Sequence, residues 1–395
     1  VIDLDEKKFK VSEEEAKERL AFVMNQFEPV STYGSSKRNI KDIHAWRIDK
    51  QTVKTYSAEE DKLEFDWSNI DTLLYIINFE DDKGFAFVSA DNRTTPVLAI
   101  IDEGFMKADD LLNTDNPGFN SFINNAISML LNEIATSNEP IATYAMSATE
   151  LPDMGQTWST VLRDYPARLK TKWGQRNPYN RQCPVISGVR APVGCVITAG
   201  AQALSFFQTI NYVSWSHPKY GQSGSSTLNW TQIISDSEDW NWAVPNERWR
   251  HIPAYYGNNI YGYGRIGDTP LRATTDQVAH LMRYLGVNIN ATYTDTITGA
   301  YTQNLLDFLR YSCGLTSSSS TLASFDVATV FNSFSNPNTL ILVEAFTPLE
   351  GHAWIIDGAR EIRHSTNDTR IYVHCNYGWD SYCDGYYLGN VYDCT

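Results

Sequence analysis

Along "VSEEEAKERLAFVMNQF" the apolar positions Ala16, Leu20, Val23 and Phe27 recur at helical spacing, and Ser12 followed by Glu15 forms a capping box ahead of them. Two apolar runs come next, "TLLYIINFE" and "KGFAFVSA", joined by the polar "DDKG". Apolar runs of this length around a Gly-containing turn predict a β-hairpin. The pattern continues with a strand in "TPVLAIIDEG" and a helix in "NSFINNAISMLLNEIA". Residues 1 to about 145 therefore predict a small α+β domain, a short sheet with flanking helices, and no side-chain cluster within it suggests chemistry.

Residues 136–158 keep no period and contain Pro140 and Pro152, which marks the best connector in the chain and a segment open to proteolysis. Beyond it, "TTDQVAHLMRYLG" predicts a helix with a Thr cap and Gly286 as its stop. "NTLILVEAF", "HAWIIDGA" and "RIYVHCNYG" predict strands, and the Ser-rich stretch 316–321 a loop. The division expected is 1–147 and 148–395.

Composition narrows the picture. The chain has 395 residues, 42% hydrophobic and 20% charged, enough for large cores. No apolar run approaches the roughly 20 residues of a transmembrane helix. A net charge of −15 with no basic stripe argues against nucleic acid as a partner. Aromatics at 13%, set among Asn, Ser and Gly, lean towards a loop-rich extracellular protein. The chain starts at Val1 and not at Met, as expected if a targeting peptide has been removed. The six cysteines form no CxxC pair and lack His at zinc-finger spacing, so no metal is expected. A disulfide among Cys375, Cys383 and Cys394 stays open, because spacing does not give connectivity. "GYGRIG" at 262–267 has the glycine pattern of a dinucleotide loop without a preceding strand, and no cofactor is expected.

The chemistry candidates start at "APVGCVITAGAQALSFF". Gly194 permits a tight entry, and residues 196–207 predict a helix whose N-terminal N–H groups and dipole stabilise a thiolate at Cys195. Alone, Cys195 is as well explained as a buried structural sulfur. His352, in "EGHAWIIDGA", lies 157 residues further on, where an imidazole would exchange protons with that thiol. "HCNYGWDSYCDGYY" adds Asn376, whose carbonyl would orient the imidazole, and Trp379, which would shield it. The Cys…His…Asn order and separation fit papain-like proteases. Gln175, in "WGQRNPYN", is a neutral donor for an oxyanion beside the Cys195 N–H, though by itself it passes for a surface amide.

The segments "GQRNPYN", "GCVITAGAQ", "QVAHLMRYLGVNINATY", "GHAWIIDGA" and "NYGWDSYCDGYY" resemble the streptopain-like family of cysteine peptidases, and "YIINFEDDKGFAFVSADNRTTPVLAIIDEG" resembles that family's propeptide. The resemblance implies an α+β papain-like catalytic domain of two subdomains, a helical half carrying the Cys and an antiparallel β half carrying the His. It implies Cys195 as nucleophile, His352 as general base, Gln175 in the oxyanion hole, and Asn376 and Trp379 in the His-supporting segment. It also implies an exported bacterial enzyme acting on proteins or peptides, a virulence-type protease made as a zymogen whose prodomain is its intramolecular inhibitor. The sequence differs from the family pattern in having Tyr377 for the first supporting Trp and "DSYCDG" where Gly-rich residues are typical, and it stops at Thr395, before the late glycine-rich loop. The alternatives are an inactive homologue acting as inhibitor or binding module, a glycan-binding protein, and an acyltransferase using the same pair.

Overall fold

The computed structural model describes residues 6–27, 38–56, 65, 67–141, 163–243, 274–346, 351–365 and 368–393. The Ser12 capping box is made: the Ser12 N–H donates to Glu15 Oε2 at 2.7 Å, and the Glu15 N–H to Ser12 Oγ at 3.3 Å. It opens α1 (Glu13–Phe27), which buries Ala16, Leu20, Val23 and Phe27 as the spacing requires. After β1 (Ile40–Arg47) and α2 (Lys50–Tyr56) comes the expected hairpin, β2 (Thr72–Phe79) and β3 (Phe85–Ser89), followed by β4 (Val97–Ile101) and α3 (Pro117–Thr136). Every residue of β2, β3 and β4 is buried, which is why these strands are continuous apolar runs without polar alternation.

The second part contains β5 (Arg163–Tyr165), a ribbon β6 and β7 (Val185–Ile186, Val189–Arg190), α4 (Cys195–Phe207), a ribbon β8 and β9 (Tyr212–His217, Gln222–Thr227) and α5 (Trp230–Ala243). It continues with α6 (Thr275–Asn288), a ribbon β10 and β11 (Thr292–Tyr293, Thr298–Gly299), α7 (Thr302–Tyr311) and α8 (Val327–Ser333). The strands β12 (Ile341–Phe346), β13 (Gly351–Ser365), β14 (Asp368–Asn376) and β15 (Gly385–Leu388) complete it.

The sheet of the leading segment does not stop at β4. It pairs antiparallel with β15, giving a nine-stranded sheet in the order β1-β2-β3-β4-β15-β14-β13-β12, with β5 also on β13. At the seam Gly385 faces Ile101, and a Cβ on Gly385 would lie 2.6 Å from the Ile100 carbonyl oxygen. Glycine is what lets the two backbones approach. Burial follows the same division. One apolar cluster joins α1, α3 and β2–β4 to Trp354, Tyr372, Tyr377 and Tyr387 of the β half. A second holds the helical half together through Val196, Ile197, Ala201, Leu204, Leu281, Leu285 and Leu305. Small side chains let α4 lie close on β13, where Ala199 and Ala203 pack with Ile355.

Two local expectations change. Gly286 does not stop α6, which runs on to Asn288; a Cβ there would lie 2.0 Å from Tyr293 Oη, so close packing explains the glycine. The Thr274 side chain caps nothing and donates instead to Asp236. The connector beyond residue 141, the 262–267 glycine motif and Cys394 lie outside the described residues. Cys375 and Cys383 are both free thiols.

Candidate active site

Gly194 has φ +96, and a Cβ on it would lie 2.7 Å from the Thr298 carbonyl oxygen. Only glycine turns the chain sharply there, and the turn makes Cys195 the first residue of α4. No side chain caps this N-terminus, and the helix dipole there favours negative charge. Cys195 is half-buried against the helical core and belongs to no disulfide. The preceding loop is tied back by the Val193 N–H, which donates to the Gln175 carbonyl at 2.8 Å. That bond brings Gln175 beside the turn that presents Cys195. Its side chain is buried, and Nε2 has no hydrogen-bond partner. An orphaned buried amide donor is unusual in a folded protein and is what an oxyanion site requires before substrate arrives.

His352 is the second residue of β13, paired with Ala345, and is 4% exposed. The Tyr377 carbonyl, 2.9 Å from Nε2, can only accept, so Nε2 carries the proton and Nδ1 does not. Trp354 stacks at 6.0 Å between centroids and Trp379 meets the ring edge-on at 5.6 Å. Burial in this aromatic surround pulls the imidazole down to about 4, against the opposing effect of the Tyr377 bond. Ala353, immediately after His352, lies in the apolar cluster against which Cys195 packs.

Asn376 does not orient the imidazole. Its Oδ1 accepts from Gln202 Nε2 at 2.8 Å and from the Gly378 N–H at 3.2 Å, while Nδ2 donates to the Thr171 carbonyl at 2.9 Å. The Tyr377 backbone, one residue on, supplies the acceptor that was expected of the Asn376 side chain. Gln202 also accepts the Trp173 N–H at 3.1 Å. Sequence reasoning passed over Gln202, within the small-residue run after Cys195, and a backbone carbonyl has no residue type to betray it.

The leading segment closes over this arrangement. Asn116 caps α3 by accepting the Phe119 N–H at 3.1 Å, and donates to the Tyr382 carbonyl at 2.8 Å. The cap sets Gly118 directly on the site: a Cβ there would lie 2.3 Å from Tyr377 Cδ1 and 2.7 Å from His352 Cδ2. An ionic seam runs beside it. His374 places Nδ1 2.5 Å from Asp357 Oδ1 and Nε2 2.9 Å from Asp102 Oδ2, while Lys172 pairs with Glu103.

A helix-borne thiol on one half, a buried imidazole on the other and a preceding segment packed onto that imidazole define a latent cysteine peptidase. Comparison with known proteins gives the family. The Peptidase C10 family matches residues 173–387, more than half of the chain, and this chain belongs to it. The Spi protease inhibitor family matches residues 11–128, the segment that covers His352. No curated protein matches. Among solved structures, a cysteine-to-alanine mutant fragment of prointerpain A from Prevotella intermedia is similar, with a TM-score of 0.52 and 21% identity over 89% of this chain and 93% of that one. Active interpain A from the same organism is also similar, with a TM-score of 0.38 and 23% identity over 57% of this chain and 86% of that one. The chain is a cysteine peptidase with an inhibitory propeptide, as the resemblance implied, and family and fold support a latent enzyme over an inert homologue.

Proposed function

We propose that this chain is the precursor of a secreted bacterial cysteine endopeptidase, working in the medium, at the cell surface or in the periplasm. Residues 1–147 act as its prodomain and 148–395 as the enzyme. The observation that carries the catalytic assignment is the buried, unpartnered amide of Gln175 tied beside the turn that presents Cys195. No described helix is long and apolar enough to cross a membrane.

Cleavage between about residues 140 and 160 would free α3 from His352. With Nε2–H committed to the Tyr377 carbonyl, His352 Nδ1 takes the thiol proton of Cys195. The thiolate attacks the peptide carbonyl, and the oxyanion accepts from Gln175 Nε2–H and the Cys195 backbone N–H. As the C–N bond breaks, the leaving amine takes the proton from His352. Water, deprotonated by His352, then hydrolyses the thioester, releasing a carboxylic acid and restoring the thiol.

The test is to incubate processed enzyme with an epoxide thiol probe and casein. Mass spectrometry should find the label on Cys195 and a mature N-terminus near residue 147, and processed Cys195→Ala should leave casein intact. Casein cleavage by that variant at the wild-type rate would refute the nucleophile.

A further inference from the structure

Gln202 is fully buried about two turns along α4 from Cys195, and its amide is used at both ends. Oε1 accepts the Trp173 N–H at 3.1 Å, two residues before Gln175, and Nε2 donates to Asn376 Oδ1 at 2.8 Å, one residue before the carbonyl that holds His352. Asn376 completes the circuit by donating to the Thr171 carbonyl at 2.9 Å, and Thr171 Oγ1 meets Ser205 Oγ, one turn beyond Gln202, at 2.9 Å. Trp173 belongs to the helical core and Tyr377 to the β core, so this polar circuit bridges two separately packed bodies.

We infer that Gln202 is a positioning residue for the peptidase reaction: with Asn376 it forms a strut that sets the oxyanion loop, the nucleophile helix and the His352 carbonyl acceptor in one fixed relation. This deepens the catalytic reading above and rests on it. The physical reason lies in direction. Apolar packing between two bodies tolerates small slides, whereas paired amide bonds fix both distance and angle. A slip of about 1 Å between base and nucleophile lowers turnover about a hundredfold while leaving the substrate groove intact. Asn376 thereby serves the imidazole through its backbone neighbour and not by direct contact.

The test compares processed wild type with Gln202→Met, which keeps the volume and loses both bonds, and Gln202→Glu, which keeps the shape and turns an oxygen on Asn376 Oδ1. In both, kcat on a peptide amide should fall about 10- to 100-fold with KM within about threefold, and the limbs of the kcat/KM pH profile should move as the imidazole shifts. Adding Asn376→Leu to Gln202→Met should cost no more than the worse single change. Unchanged kinetics, a loss confined to KM, additive losses, or failure of both variants to fold would each overturn the proposal, the last by making the residue structural. Processed Cys195→Ala, run alongside, stays inactive if only the strut is wrong and stays active if the nucleophile assignment is wrong.

Discussion

His374 Nε2 lies 2.9 Å from Asp102 Oδ2, an ion pair joining the catalytic half to the propeptide across the β4–β15 seam. Asp357 holds the other ring nitrogen and also accepts from the Arg168 and Leu169 N–H groups at 2.9 and 2.7 Å, so the His374 side of the pair is anchored. Against the effect of burial, Asp357 and Asp102 raise His374 well above its ordinary value. The same His374, again opposing burial, lowers Asp102 to about 2. A raised His contributes fully below its unfolded value of about 6.5 and loses that contribution as pH rises through the folded value; a lowered Asp contributes above about 3.9 and loses it as pH falls towards 2. The pair is therefore complete between about pH 4 and 6.5. Asp102→Asn should destabilise the uncleaved chain by about 2 kcal/mol in that window, discounted for the partial exposure of Asp102, and by progressively less as pH rises above it. Urea unfolding of both proteins across pH checks this; a constant difference would show that the ion pair contributes nothing.

Gly118 should be intolerant for a reason opposite to its helix propensity. In the first turn of α3, alanine would ordinarily be worth up to about 1 kcal/mol more than glycine. Here a Cβ meets the Tyr377 and His352 rings at 2.3 and 2.7 Å, and neither ring can withdraw, because both are packed. Gly118→Val should lift α3 from the site at a cost of about 1–3 kcal/mol and let an epoxide probe label Cys195 in uncleaved protein several times faster than in wild type. Labelling at the wild-type rate would mean that α3 does not guard the site.

How far each feature was legible depends on how local its cause is. The Ser12–Glu15 cap and the β2–β3 hairpin arise within a few residues and stood in the pattern. Cys195, His352 and Gln175 could be proposed from the sequence because catalysis restricts residue type and order even over long separations. The β4–β15 junction was not legible, since an apolar edge strand carries no label for its partner. Nor were the Asp102–His374 and Gly118–His352 contacts, which depend on how the propeptide docks. Asn376 was assigned the wrong contact because side chains are visible in a sequence and the Tyr377 carbonyl is not.

Gln175 offers a clean separation of catalysis from stability. Its Nε2 has no partner in the resting protein, so Gln175→Ala removes no hydrogen bond made by that nitrogen. Processed Gln175→Ala should retain its melting temperature within a few degrees, alkylate at Cys195 as fast as wild type, and lose about 100-fold in kcat with little change in KM. A matching loss in alkylation rate would instead place Gln175 among the groups that activate the thiol.

The covered imidazole gives latency its own acid sensitivity. Burial holds His352 at about 4, whereas an uncovered imidazole titrates near 6.5. Below about 6.5 an uncovered ring takes up a proton that the covered one refuses, so lifting α3 becomes easier as pH falls from 6.5 to 4, by about 3 kcal/mol at most. This trend opposes the ion pair at Asp102, which is intact over the same range, and the two are separated by variants. His364, also lowered by burial, to about 3, adds a second trend of the same sign, away from the site, on β13. Hydrogen exchange of the α3 amides in uncleaved Cys195→Ala, corrected for intrinsic rates, should quicken steadily from pH 6.5 to 4. In Cys195→Ala carrying His352→Gln, the His364 contribution alone should remain and the slope should fall. Equal slopes in the two proteins would show that protonation of His352 takes no part in releasing the propeptide.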